Sequence, residues 1–153
     1  MGDGLMAPVP AVESSRLITF EKSARIHHKN VDGELPDTEF KLLLNVAPET
    51  LGVRIQIIDQ FRHGTVRVDV AVVYQWERDA VPADDLDEFT ERVALPQVLS
   101  CAAATLTSAA SEIVSNEVPF YGLSALDEIV STFRQRTSLA ERLKHVIEER
   151  TTD

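Results

Sequence analysis

The chain has 153 residues, 44% of them hydrophobic, with a formal net charge of −10, a size that suits one domain around one sizeable core. Charge of that sign is repelled by phosphate backbones, which excludes nucleic acid as an expected partner, and a single cysteine rules out an intrachain disulfide and fits a reducing compartment. No uncharged apolar run approaches the roughly 20 residues of a membrane span, and the N-terminus lacks the basic and apolar regions of a signal peptide, so a soluble, cytoplasmic protein without membrane insertion is expected.

Residues 1–14 are rich in Gly and Pro without periodicity and read as a mobile tail. A first strand is expected over 16–28, then a turn or loop from Asn30 to Asp37 around Asp32-Gly33 and Pro36. Phe40, Leu42, Leu44 and Val46 alternate with polar residues and give a second strand, which Ala47-Pro48-Glu49-Thr50 breaks. Val53, Ile55 and Ile57 give a third. His63-Gly64 is placed for a tight turn. Val66, Val68, Val70, Val72, Tyr74 and Trp76 then share one face of a long fourth strand. Short connections imply antiparallel pairing, and one apolar face per strand implies a sheet covered on one side only.

Near residue 80 the period changes. Pro82 and the acidic run Asp84-Asp85-Leu86-Asp87-Glu88 mark the boundary and suit a short helix to about Arg92, because acids complement the positive end of a helix dipole. Pro96 is placed to open the main helix, whose apolar residues recur at three- and four-residue steps from Val98 to Val114. Pro119 and Gly122 interrupt it. Leu123 to Arg136 resumes the helical period, and Ser138 with Glu141 opens a last helix at about 138–150. Strands followed by helices predict an α+β fold: a four-stranded antiparallel sheet with two or three helices packed on one face, forming a single domain over 15–153.

No catalytic motif is present. His27 and His28 are adjacent on a strand and point to opposite faces, which does not suit a shared metal; His63 and His145 stand apart. Cys101, beside Ala102, Ala103 and Ala104, reads as a small core thiol. The acids at 84–88 lack the order of a calcium loop, and neither a nucleophile elbow nor a phosphate-binding glycine loop occurs. An enzyme is not expected, and no metal or cofactor is called for. The alanine stripe predicts tight packing of the main helix, against the sheet or against a second copy of the chain. A free sheet edge also invites pairing with another chain.

The order of elements resembles the SecB family of export chaperones, and local matches fall in that order. Ile18-Thr19-Phe20-Glu21 is similar to the opening of the family's first strand, Glu39-Phe40-Lys41-Leu42-Leu43-Leu44 to its second, Leu95-Pro96 to the start of its main helix, and Val118-Pro119-Phe120 to its proline-bearing loop. The main helix departs from the family pattern at Gln97-Val98-Leu99. Of the acidic pair flanking the family's first strand only Glu21 is kept, with Leu17 in the other place. The resemblance implies an ATP-independent holdase, a homotetramer built as a dimer of dimers, binding unfolded client polypeptide in apolar grooves for protein export. The candidate client-binding residues are Phe120, Tyr121, Tyr74 and Trp76, the last two reading also as core under the helices, with Glu21 the candidate contact to a translocase motor. The alternative is an interaction protein of the same fold that serves one specific folded partner, in a phage or toxin–antitoxin setting.

Overall fold

The strand residues pair into one sheet of order β1-β4-β3-β2, antiparallel throughout. The computed structural model describes residues 12–27, 29, 33–34, 38–62, 64–77, 83–111, 123–136 and 138–152. The strands are β1 (Val12–Ile26), β2 (Glu39–Val46), β3 (Thr50–Gln60) and β4 (Gly64–Trp76). β1 thus begins inside the stretch expected to be a tail. Two-residue loops close the β2–β3 and β3–β4 hairpins: Ala47 and Thr50 exchange backbone hydrogen bonds at 3.0 and 3.3 Å, and Phe61 and Gly64 at 2.8 and 3.4 Å. In the connection from β1 to β2, Gly33 has a φ of 86°, a conformation that favours glycine.

Register sorts the side chains into rows across the sheet. Leu44, Val53, Val72 and Leu17 form one row on the inner face, and Leu42, Ile55, Val70 and Thr19 the next. Their β2, β3 and β4 members are buried, and these rows are the floor of the core. Alternation along β1 is broken at Phe20, an extra residue between Thr19 paired with Val70 and Glu21 paired with Asp69. Such a bulge shifts the parity of everything after it. Even-numbered Arg16 and Ile18 share the outer face with odd-numbered Glu21, Ser23 and Arg25.

The helices are α1 (Ala83–Phe89), α2 (Leu95–Ala110), α3 (Leu123–Arg134) and α4 (Leu139–Thr152). α1 and α2 are not separate helices, as Pro96 suggested. One π-turn, Thr90–Ala94, joins them, with the Leu95 N–H donating to Thr90 O. A proline inside a regular helix lacks its amide donor and meets the carbonyl four residues back; the wider turn just before Pro96 accommodates it. The stretch Asp85–Ala110 is therefore one helix of 26 residues, long and apolar enough by composition to cross a membrane. Here Val98, Leu99, Ala102, Leu106, Ala109 and Ala110 are buried, with α2 against β4, β3 and β1. The alanine stripe's inner members thus lie in the chain's own core, where small side chains allow close approach to the sheet.

α3 buries Ile129 and Phe133, and α4 buries Leu139 and Leu143, each pair one turn apart. α4 packs on α1 and reaches β2. Asp87 of α1 caps it from outside: one carboxylate oxygen accepts the Leu139 N–H at 2.8 Å and the other accepts the Ser138 hydroxyl at 2.6 Å. Arg142 donates to Leu44 O at 3.0 Å, on the edge strand β2.

Candidate functional site

The described helices cover the inner face of the sheet and leave the outer face bare. Its rows carry the site. One row is Leu43, Arg54, Ala71 and Ile18; the next is Asn45, Gly52, Val73 and Arg16; on the other side comes Lys41, Gln56, Asp69 and Glu21. Apolar side chains therefore meet in the middle of a face that alternation alone would make polar. They line a shallow depression of about 240 Å³ with Ile18, Phe20, Leu43, Ala71 and Val73 on its walls. Gly52 contributes no side chain, which keeps the depression open.

A polar network fixes the floor. Arg54 grips Asp69 with two hydrogen bonds, Nε to Oδ1 at 2.7 Å and Nη2 to Oδ2 at 2.6 Å, and Gln56 donates to Oδ2 at 3.0 Å. The Arg54 hydrogen bonds, more than Gln56's, hold the Asp69 carboxyl below the usual carboxylate range, against the opposing effect of its burial. The Phe20 ring then lies 3.9 Å from the Arg54 guanidinium, a cation–π contact. The bulge thus sets Phe20 over an arginine already held by Asp69, and still leaves it 53% exposed.

β1 is a terminal strand of the sheet, and an edge strand of 15 residues offers a long row of backbone groups to another chain. Three of the four exposed large apolar side chains among the described residues lie on it: Leu17, Phe20 and Ile26. The opposite edge differs, because Arg142 occupies a carbonyl of β2. Sheet edge and outer-face depression meet at Ile18 and Phe20.

Of the residues singled out from sequence, Phe120 and Tyr121 lie outside the described residues. Tyr74 and Trp76 take the core position that was their other reading. They are 2% and 4% exposed, on the inner face, and close around Phe89, whose ring stands edge-on to both at 5.0 and 5.2 Å. Large aromatic rings there serve packing and present no surface to a client. The Tyr74 hydroxyl donates to Gln97 Oε1, and burial, then the nearby Cys101, pushes its pKa up to about 12. Glu21 is exposed on the outer face, where it accepts the Ser23 hydroxyl at 3.0 Å. Cys101 is half-buried with a free thiol, and no group of three His, Cys, Asp or Glu among the described residues is placed to hold a metal.

The outer-face residues Ile18, Leu43, Ala71 and Val73 were not singled out from sequence. A signal was there: Leu17-Ile18, Leu42-Leu43-Leu44 and Val70-Ala71-Val72-Val73 are apolar in both parities, so each strand had to carry apolar residues on its second face.

No family model matches the chain, and no curated protein matches it. Among solved structures the fold is similar to that of the Mycobacterium tuberculosis Rv1957 SecB-like chaperone, solved in complex with a ChAD peptide from the Rv1956 HigA1 antitoxin. The TM-score is 0.50 and the identity 13%, over 74% of this chain and 90% of that one. At that identity the likeness is one of fold: a four-stranded antiparallel sheet with helices, in an α+β arrangement.

Proposed function

We propose that the chain is a SecB-like chaperone that holds polypeptide in a non-native state. The observation that carries this reading is the β1 side of the sheet, where an open edge strand and an apolar depression share Ile18 and Phe20. An extended segment gains backbone hydrogen bonds at such an edge and apolar contacts beside it. The fold's likeness to a SecB-like chaperone supports it. An acidic surface keeps a loaded complex in solution. Self-assembly into a dimer of dimers, a cytoplasmic location and independence from ATP belong to the same proposal.

A second reading is a protein dedicated to one partner. It is favoured by the peptide in the similar structure, which comes from a single antitoxin.

The test is light scattering from a chemically unfolded protein diluted with and without this chain. Suppression at near-stoichiometric ratios is expected. Gly52→Val is expected to weaken it severalfold while leaving the unfolding midpoint nearly unchanged, because a Cβ there meets only Asn45 atoms, at 3.7 and 3.8 Å, and branched residues suit strands. No suppression by the folded wild type overturns the holdase reading. A pull-down dominated by one native protein then selects the dedicated partner.

A further inference from the structure

Beyond the apolar depression, the same outer face carries a second recess, of about 320 Å³, of opposite character. It is lined by Ser23, Arg25, Ile26, His27, Thr65 and Arg67. Register explains how it forms: Ser23 sits opposite Arg67, and Arg25 opposite Thr65. The two arginines are therefore diagonal neighbours on one face, with Cβ atoms about 7 Å apart or less, a spacing that lets both guanidinium groups reach one anion. His27 and Thr65 share a hydrogen bond of 2.8 Å at the far wall.

The two arginines differ from Arg54, their neighbour on this face. Arg54 is committed to Asp69. Arg25 and Arg67 have no carboxylate within 4.0 Å among the described residues, and both are exposed. Two acids on this face are engaged elsewhere: Asp69 by Arg54 and Gln56, and Glu21 by the Ser23 hydroxyl. In a chain of net charge −10, two arginines without a carboxylate partner beside a concave, hydroxyl-lined wall form a local positive site in a negative field. Guanidinium forks suit carboxylates, which they meet in pairs of parallel hydrogen bonds.

We propose that the Arg25–Arg67 recess is an anion subsite that takes an aspartate or glutamate side chain of the bound polypeptide. This rests on the polypeptide-binding reading above and adds a substrate class to it: segments in which an apolar residue, seated over Ile18 and Phe20, is separated along the strand from an acidic one. Between the depression and the recess, β1 runs from Ile18 to Arg25. A segment paired with β1 therefore places its acid about six to eight residues from its apolar anchor, at about 3.3 Å per residue.

The experiment uses the full chain and fluorescent 14-residue peptides of two kinds, measured by anisotropy. Both carry an apolar triplet, at the N-terminal end in one version and at the C-terminal end in another; one kind has two glutamates at the stated spacing from it, the other two glutamines. The wild type is expected to bind the glutamate peptide about five-fold more tightly at low salt, the scale of two partly exposed ion pairs, and to lose that preference at 0.5 M salt. In the Arg25→Gln/Arg67→Gln variant the preference disappears while binding of the glutamine peptide is kept. Both arginines are exposed and unpaired among the described residues, so the variant is expected to melt with the wild type, and circular dichroism checks this. Equal binding of the two peptides by the wild type overturns the subsite and leaves the polypeptide-binding reading standing. So does a preference that survives in the double variant. Binding of neither peptide overturns both. Stabilisation by inorganic phosphate without discrimination between the peptides overturns the acidic side chain as the occupant.

Discussion

Tyr74 shows how one side chain can belong to the core and still report on it. Its hydroxyl is buried and its pKa is pushed up to about 12, against about 10 in an unfolded chain. The folded state therefore holds this proton more tightly than the unfolded state does. Stability from that source is complete below pH 10 and is lost as pH rises from 10 towards 12. The full effect is about 2–3 kcal/mol, two pH units of linkage. Tyr74→Phe cannot titrate, so its unfolding free energy in urea is expected to stay flatter between pH 10 and 12. At pH 7 it costs about 1 kcal/mol for the lost hydrogen bond to Gln97. An equally steep alkaline loss in the variant would place the titrating group elsewhere. Asp69 works in the opposite sense. Its carboxyl is held below the usual range by Arg54 first, so its contribution is present at neutral pH and is lost as pH falls below about 4.

At the scale of elements, the bulge at Phe20 decides what β1 presents. Deleting Phe20 removes the extra residue and leaves every other β1–β4 pair in place. Such a variant is expected to fold and to lose about 1 kcal/mol or less, since Phe20 is 53% exposed. Deleting Val68 from the middle of β4 turns half of that strand over, sending its valines to the wrong face, and is expected to abolish cooperative unfolding. Thermal melts by circular dichroism compare the two; a Phe20 deletion that fails to fold would mean the bulge itself is needed. The same bulge explains why β1 was the least legible strand. β4 could be read from Val66 to Trp76 because its alternation is unbroken. In β1, Leu17 and Ala24 face the same way at an odd separation, which no period of two can show. The helices have a parallel history. The spacing of Val98, Ala102, Leu106 and Ala109 revealed the buried face of α2, whereas Pro96 concealed its continuity with α1. A proline rule assumes a regular helix, and the π-turn at Thr90–Ala94 is the irregularity that suspends it.

For the whole molecule, the sheet is the stable unit and its two edges are unequal. β3 and β4 are flanked by strands on both sides, and Val53, Ile55, Val66 and Val70 are fully buried. Backbone amides of β3 and β4 are therefore expected to exchange with solvent most slowly, and those on the outer edge of β1 most quickly, in a hydrogen-exchange time course. Protection of β1 equal to that of β4 would mean that a second copy covers the edge in solution. The fold was legible because its layers follow from the order of periodicities, strands before helices. The outer-face site was not, since it arises where apolar residues from three strands fall into register, and register is a long-range property. Tyr74 and Trp76 drew attention as large aromatics, although side chains on the best-alternating face of the longest apolar strand belong to the core.

Trp76 has one more consequence. It is the sole tryptophan of the chain, enclosed between Tyr74 and Phe89, and its indole N–H finds no acceptor among the described residues. An indole in dry surroundings without a hydrogen bond emits at short wavelength and shifts to the red once water reaches it. The molecule thus carries an intrinsic dye on the side of the sheet away from the depression and the arginine recess. A ligand that settles on the outer face leaves its colour unchanged, and only opening of the helical layer alters it, so occupancy and unfolding can be told apart in one cuvette.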